Sequence, residues 1–522
     1  MALTGTADWP AGQRLAVGVV AALLLGALLP RLAHDLYRAR LATPIDYVEG
    51  WNAYHTTRVM KGEALYRTVQ GLPLTPVNYP PLSFYLVGLV ARATGSVVCA
   101  GRLVSLVSLA AVTALLYLAV SLWTGSRASA ALAALVWLGL LTRFGGAYVA
   151  SHEPQMLGHA VCALALCLCA AWDRDLTLAR VAALAALCGL ALYVKHLLLA
   201  VPASLALVLL LRRRRLFLAF ALSGLVSCGL LALVSWLFAG DALLANLTAF
   251  DRLVDNRRLM DELVALFVEG WLGLLVVAVV GVAWLGGTGA PWVVAYAFTS
   301  LALGAAAVRG VGVDRNAWFD LFQASGLALG LLAARAGSLR GGKRVAALLL
   351  LVAAGVLPAA SNLVAGWRDA SNLARLSREE AAYLGDVALL KRLPGPALFE
   401  EPLLGFDAGK EFLFDPFTGS LSVVSGRVPE SVLLDPIRRR AFGAIVLRAP
   451  IETLLRRPRG DVSRDAPARL RGWWTRNALE AVRENYDPYD PGRRRFGYFY
   501  LPRGRSAPEP SAEGGDEHGK RL

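Results

Sequence analysis

The sequence predicts a polytopic all-α membrane protein of about eleven transmembrane helices, followed by a small C-terminal α/β domain outside the membrane. Three observations predict it. Of 522 residues, 56% are hydrophobic and only 17% are charged, against about 25% charged in soluble domains. Apolar runs near 20 residues recur up to residue 364, and mean hydropathy is +0.52. From residue 365 onward, mixed polar segments replace the runs. Soluble enzyme classes, disordered chains and collagen-like chains are excluded on this basis.

The net charge of +15 is not a nucleic-acid signal. Residues 1–364 hold 27 Lys and Arg against 16 Asp and Glu, and the remainder holds 26 against 22. The excess therefore sits mostly between apolar runs, where it sets topology and meets anionic head groups. Expected spans are 14–32 (read as an uncleaved first span rather than a signal peptide), 97–122, 128–148, 155–172, 178–194, 197–211, 216–238, 270–285, 291–308, 319–334 and 345–364. Residues 81–93 are apolar but too short to span, and are expected to form a surface helix. Four consecutive arginines, Arg212 to Arg215, and the cluster Arg335, Arg340, Lys343 and Arg344 fall on one side, which the positive-inside rule makes cytoplasmic. The N-terminus is then inside and the C-terminal domain outside. Arg252, Arg257 and Arg258, in an outward loop, are a contrary sign.

This topology sorts the acids. Of the 16 before residue 365, only Asp8, Asp173 and Asp175 fall inside. Span interiors are nearly free of charge, unlike those of ion-coupled transporters. All six cysteines (Cys99, Cys162, Cys167, Cys169, Cys188 and Cys228) lie in apolar runs and read as small buried hydrophobes.

The outer loops carry the candidate chemistry. In the loop 34–96, Asp46 and Glu49 share a face if the segment is helical. Two acids at a membrane edge suit general-base work on a hydroxyl, and equally suit a helix start, with Asp46 as N-cap and Glu49 as its capping-box partner. Asn52 and His55 follow on the same segment, and then Tyr79-Pro80-Pro81-Leu82. Glu153 before Pro154 is either a functional acid or a helix-start acid. Lys195, with His196 beside it, stands in a tight outer turn, where it either meets a phosphate or snorkels. Arg309 and Arg315 offer forked donors for a phosphate or carboxylate, or pair with Asp314 and Asp320.

These residues, in this order, resemble the GT-C membrane glycosyltransferases, close to the family-39 protein mannosyltransferase and aminoarabinose transferase group. The resemblance rests on Asp46, Glu49, Gly62, Tyr66, Tyr79-Pro80-Pro81-Leu82, Tyr85, Arg102, Glu153 before Pro154, and Lys195. It covers about residues 41–215 well and fades beyond. The chain departs from the group in having Asp46-Tyr-Val-Glu49 where many members have adjacent Asp-Glu. The resemblance implies a GT-C-like domain over 1–364 and inverting transfer of a sugar from a polyprenyl-phosphate donor to an acceptor hydroxyl. That transfer would take place at the outer face of the cytoplasmic membrane. It implies Asp46, Glu49 and Glu153 as catalytic acids, Lys195, His196, Arg309 and Arg315 at the donor phosphate, and Tyr79, Asn52 and His55 positioning substrate. Partners would be the lipid-linked donor and a glycan, lipid or protein acceptor, with no nucleic acid. No cofactor and no metal-ligand spacing is required, and a divalent metal is left open. The alternatives are a non-enzymatic scaffold or sensor, and a lipid or solute transporter.

The C-terminal domain, 365–505, is expected to open with a helix capped by Ser377-Arg378-Glu379-Glu380. Strands are expected over 397–400, 411–414, 443–447 and 496–501, and helices near 430–440 and 472–483. Asp407, Asp415 and Asp435 have no catalytic spacing, so a lid or structural role is expected. The tail 506–522 reads as disordered.

Overall fold

The computed structural model describes residues 11–249, 252–268, 271–336, 339, 341–456, 470–471, 473–490 and 495–504. The expected tail 506–522 lies outside the described residues. A helix lies over each of the eleven expected stretches. They are α1 (Ala11–Arg38), then, after α2 (Val48–Met60) and α3 (Leu82–Thr94) in the loop, α4 (Val97–Thr124), α5 (Arg127–Phe144), α6 (Gln155–Trp172), α7 (Leu178–Val194), α8 (Ala200–Arg212) and α9 (Arg214–Ala239). The short α10 (Asp241–Leu247) and α11 (Asn256–Val268) lead to α12 (Trp271–Leu285), α13 (Ala290–Val308), α14 (Phe319–Ala336) and α15 (Gly342–Ser371). The side-chain oxygens of Ser96, Ser126 and Thr177 cap α4, α5 and α7 at their N-termini. Left-handed Gly95 and Gly125 end α3 and α4.

The chain is a multi-pass membrane protein. Seven stretches among the described residues are long and apolar enough to cross: residues 15–38, 97–124, 127–144, 155–172, 214–239, 290–308 and 315–336. Helices α7, α8 and α12 have 17, 13 and 15 residues, about 20–26 Å at 1.5 Å per residue, which is short of a ~30 Å hydrocarbon core. Helix α1 outruns its expected end at residue 32. Its last turns are held by buried Asp35, which meets Arg38 at 3.5 Å and His34 at 3.2 Å. The 13-residue α3 packs on α2 and α4, as a short surface helix should. Of the cysteines, Cys162, Cys167, Cys169 and Cys188 are buried, Cys228 is half-buried and Cys99 is exposed.

Helix α14 is the centre of the bundle, almost entirely buried and packed against α5, α13, α12 and α15. Gly326 and Gly330 form a Gly-xxx-Gly seam against α5. A Cβ on Gly326 would lie 2.6 Å from the Ala133 carbonyl oxygen, and one on Gly330 2.9 Å from that of Ser129. Without a hydrophobic force between helices in lipid, such backbone approach is what holds them together.

The C-terminal domain continues directly from α15 into α16 (Leu373–Arg392). The expected capping box is overturned. Ser377 and Glu380 lie inside α16, whose N-cap is Asn372, and Glu380 instead accepts the Ala42 N–H at 2.6 Å. After α16 come β1 (Ala397–Phe399), α17 (Pro402–Asp407), α18 (Pro416–Val424), α19 (Ser431–Arg438), β2 (Ala444–Leu447) and α20 (Ile451–Arg456). The chain closes with β3 (Leu470–Arg471), β4 (Trp474–Thr475), α21 (Arg476–Asn485), β5 (Tyr486–Tyr489) and β6 (Tyr498–Pro502). The main sheet has the order β1-β2-β6-β5, with β1 and β2 parallel and the other pairs antiparallel. Strands β1, β2 and β6 stand where expected, and β5 was not foreseen. Residues 411–414 are not a strand of this sheet. Phe414 makes a lone bridge to Leu74 of the first outer loop, with Leu74 N–H donating to the Leu413 carbonyl at 2.7 Å.

That bridge is one of several contacts docking the domain onto the loops. Gly50 on α2 touches the backbone of Pro402–Leu403, where a Cβ would fall 2.0 Å from the Leu403 nitrogen. Gly312 lies under the Phe417 ring in the same manner. We predict that Gly50→Ala undocks the domain. Limited proteolysis should cleave within residues 373–504 faster than in wild type, whereas Gly71→Ala, with open space around it, should match wild type.

Candidate active site

The candidate site is built on the segment between α1 and α2. Arg102, on the first turns of α4, reaches into it. Its Nη1 donates to the carbonyls of Ala39 (3.1 Å) and Leu41 (2.6 Å), and its Nη2 to that of Thr43 (2.8 Å). The same guanidinium grips Glu49 bidentately, with Nε to Oε1 at 3.0 Å and Nη2 to Oε2 at 2.8 Å. Glu49 also accepts the N–H groups of Ile45 (2.7 Å) and His152 (2.9 Å) and is 0% exposed. With four donors on its two oxygens, Glu49 has no lone pair facing a substrate. It anchors the segment in place of the catalytic role expected for it.

Asp46 stands in the middle of the anchored segment, half-buried. Its Oδ1 accepts the Val48 N–H at 3.1 Å at the start of α2. The expected capping box is not formed: the N-cap of α2 is Tyr47, without a side-chain cap, Asp46 stands one residue before it, and Glu49 reaches back to the Ile45 N–H. Burial among the loops pushes the Asp46 carboxyl up to about 6, with help from the charges of Glu153, Asp314 and Glu49 and against the pull of the Val48 N–H.

Beside Asp46 opens a cleft. It is lined by Tyr47, Val48 and Trp51, by Asn78 and Tyr79, by Lys195 and His196, and by Arg252 and Asn316. The C-terminal domain roofs it with Asp415, Phe417, Thr418 and Trp473. Lys195 is 2% exposed. It is ion-paired to Glu153 and sits 5.1 Å from the centre of the Tyr79 ring. Glu153 also takes the Gln155 N–H at 2.5 Å, at the start of α6. Acid, lysine and tyrosine thus form one buried unit whose parts come from three loops. The roof is tied on from below. Tyr47 donates to Asp415, stacks on Trp473 at 4.5 Å and carries the Arg448 guanidinium 5.4 Å from its ring centre. Arg448 holds Glu401 at 2.5 Å, and burial raises the Glu401 carboxyl to about 7 against that pairing.

The expected site residues divide. Lys195, His196 and Tyr79 line the cleft, Glu153 joins them through its ion pair with Lys195, and Asp46 stands next to the lining residue Tyr47 without lining the cleft itself. The others lie elsewhere. Arg309 donates to Asn256 at 2.7 Å and Arg315 faces Glu262 at 3.7 Å, so both serve α11 and neither lines the cleft. Asn52 is buried and donates to the His152 carbonyl at 2.7 Å. His55 lines a separate cavity between α2 and the C-terminal domain. Trp51 takes the cleft-facing position of α2, and the 100° turn per residue carries Asn52 to a neighbouring face. Arg252 was seen in the sequence only as a topological anomaly, yet it lines the cleft and holds no carboxylate among the described residues. Among the described residues no group of three His, Cys, Asp or Glu side chains is placed to hold a metal ion.

No protein-family model matches the chain, and no curated protein matches it. Solved structures do. ArnT from Cupriavidus metallidurans bound to undecaprenyl phosphate superposes with a TM-score of 0.56 at 14% identity, covering 92% of this chain and 98% of that one. The same protein in the apo state gives 0.57 at 13% identity, covering 93% and 98%. The fold is that of the GT-C membrane glycosyltransferases. The Archaeoglobus fulgidus oligosaccharyltransferase, tethered with an acceptor peptide, gives 0.51 at 11% identity, covering 92% of this chain and 74% of that one.

The Glu49–Arg102 pair is testable as an anchor. Removing one partner strands a buried charge, at a cost of about 3–5 kcal/mol. Arg102→Met and Glu49→Leu should each lower the thermal midpoint sharply, and the double variant should lose less than the sum of the two. Additive losses would mean that the pair is not coupled.

Proposed function

We propose that the protein transfers a sugar from a polyprenyl-phosphate-linked donor to an acceptor hydroxyl, with inversion and with Asp46 as general base. The observation that carries this reading is Asp46 itself, next to the cleft-lining Tyr47, with a hydrogen bond at Oδ1 and none at its other oxygen among the described residues, and with its carboxyl raised by burial to about 6. A base is most effective with a pKa near working pH. Its neighbours suit the other half of the reaction. Lys195 and Arg252 bring positive charge to the cleft, where a lipid phosphate would lie, and His196 beside them is kept neutral by burial, which lowers its pKa to about 4. The step balances. The acceptor oxygen attacks the anomeric carbon from the face opposite the phosphate, and its proton passes to Asp46. The carbon–oxygen bond to phosphate breaks, and polyprenyl phosphate leaves as an anion stabilised by those cations. Glu153 positions Lys195 rather than taking the proton, because its oxygens are held by Lys195 and the Gln155 amide.

The neighbours support the donor class. One was solved with undecaprenyl phosphate bound, and another with an acceptor peptide. The aromatic groups Tyr47, Trp51, Tyr79, Phe417 and Trp473, with Asn78, Asn316 and Asp415 between them, suit a saccharide, which presents apolar faces and hydroxyl edges. Membrane sidedness follows from charge. The arginines 212–215 lie at the far end of α8 from Lys195, which supports a cleft and domain on the outer face of a cytoplasmic membrane with the N-terminus inside.

In proteoliposomes containing polyprenyl-phosphate sugars, Asp46→Asn should lower kcat by about 10²–10⁴-fold with little change in thermal midpoint. Arg252→Gln should mainly raise KM for the donor. Undiminished transfer by Asp46→Asn removes Asp46 as base. Absence of transfer from every donor by folded wild type overturns the enzymatic reading in favour of a scaffold or transporter.

A further inference from the structure

A second cavity of about 400 Å³ opens between the outer half of α2 and the C-terminal domain. It is basic. Arg58, Lys61, Arg67 and Lys410 line it against two acids, Glu63 and Glu411. Glu63 is bound to Arg67 at 2.6 Å and lies 3.9 Å from Arg58 Nε, an ion pair beyond hydrogen-bond distance; Arg58 Nη2 donates to the Ala64 carbonyl, and Lys410 donates to the Leu393 and Gly395 carbonyls.

Its wall also holds buried polar atoms with no hydrogen-bond partner among the described residues: Arg58 Nε, Thr57 Oγ1 and His55 Nε2. His55 is 1% exposed. Its Nδ1 lies 3.3 Å from Arg58 Nη1, and a guanidinium only donates, so Nδ1 accepts and Nε2 carries the hydrogen. All three orphan atoms can therefore donate. Buried donors in a native structure are normally paired, and a wall of unpaired donors beside four cations calls for a guest that is anionic and accepts only.

We propose that this cavity is a phosphate-binding site, in which Arg58 and Thr57 donate to the phosphate oxygens and Arg67 and Lys61 balance its charge. His55 orients the Arg58 head through Nδ1 and offers a third donor. Phosphate fits better than a carboxylate because it presents more acceptor oxygens, in a tetrahedron, to donors arriving from both walls. Burial and the neighbouring Arg67 lower the Arg58 pKa to about 10, and a bound anion would relieve that repulsion. The site does not depend on the transfer chemistry proposed above. The phosphate is carried either by a water-soluble molecule or by a lipid head group.

The test uses full-length protein in neutral detergent, titrated with inorganic phosphate at constant ionic strength while heat and thermal midpoint are followed. Saturable binding is expected, weakened about tenfold in Arg58→Gln and measurably in Arg67→Gln. A parallel arm places the protein in nanodiscs of phosphatidylcholine with or without phosphatidylglycerol. Stabilisation by the anionic lipid that Arg58→Gln abolishes, without a response to inorganic phosphate, assigns the site to a head group. Should Arg58→Gln fail to fold, Arg67→Gln carries the test, because its side chain is exposed. No saturable response in either arm, or responses equal in wild type and variants, overturns the proposal.

Discussion

Everything at the candidate site hangs on the guanidinium of Arg102. Burying an ion pair costs several kcal/mol per ion unless the geometry is nearly complete, and here it is. Five hydrogen bonds leave Arg102, three of them to backbone carbonyls of the chain as it leaves α1 and two to Glu49. Glu49 in turn takes two backbone amides, one from its own segment and one from the loop before α6. The segment between α1 and α2 and the loop before α6 are thus both fixed to the first turns of α4. Asp46 lies within the fixed stretch and cannot drift from Glu153, Lys195 and Tyr79. Glu49 is therefore the device that fixes the segment carrying Asp46, the base proposed above.

The C-terminal domain completes the environment. Leu74 bridges to Phe414, Gly50 lets α17 rest on α2, and Tyr47 donates to Asp415. These contacts cover the loops from above and reduce the water around Asp46, which is the leading cause of its raised pKa. A roof of this kind needs no catalytic motif of its own. Its contribution is desolvation and an aromatic wall, which explains why its aspartates show no catalytic spacing.

Much of this was legible in the sequence, and the failures have physical reasons. The apolar runs located the long apolar helices among the described residues, because lipid demands length and composition from the segment alone. Asp46, Glu153 and Lys195 could be singled out because each lies at the end of an apolar run, where a charge is conspicuous. Arg309 and Arg315 were misplaced because sequence shows that an arginine is near the surface but not which partner takes it, and Asn256 and Glu262 of α11 do. Ser377 and Glu380 have capping-box spacing, but α16 already begins at Leu373 behind Asn372, so the pattern lay inside a helix. Asp415, Trp473 and Arg448 were beyond reach. They meet Tyr47 only after the chain has folded back over more than 350 residues.

The central claim is that Asp46, with a carboxyl raised to about 6, accepts the acceptor's proton. The most direct measurement is the pH dependence of sugar transfer at saturating donor and acceptor. A base must be ionised to act, so kcat should rise as pH increases through about 6 and level off above it. The residual rate of Asp46→Asn should lack that limb. A rate independent of pH across this range, or the same limb surviving in Asp46→Asn, would contradict the account.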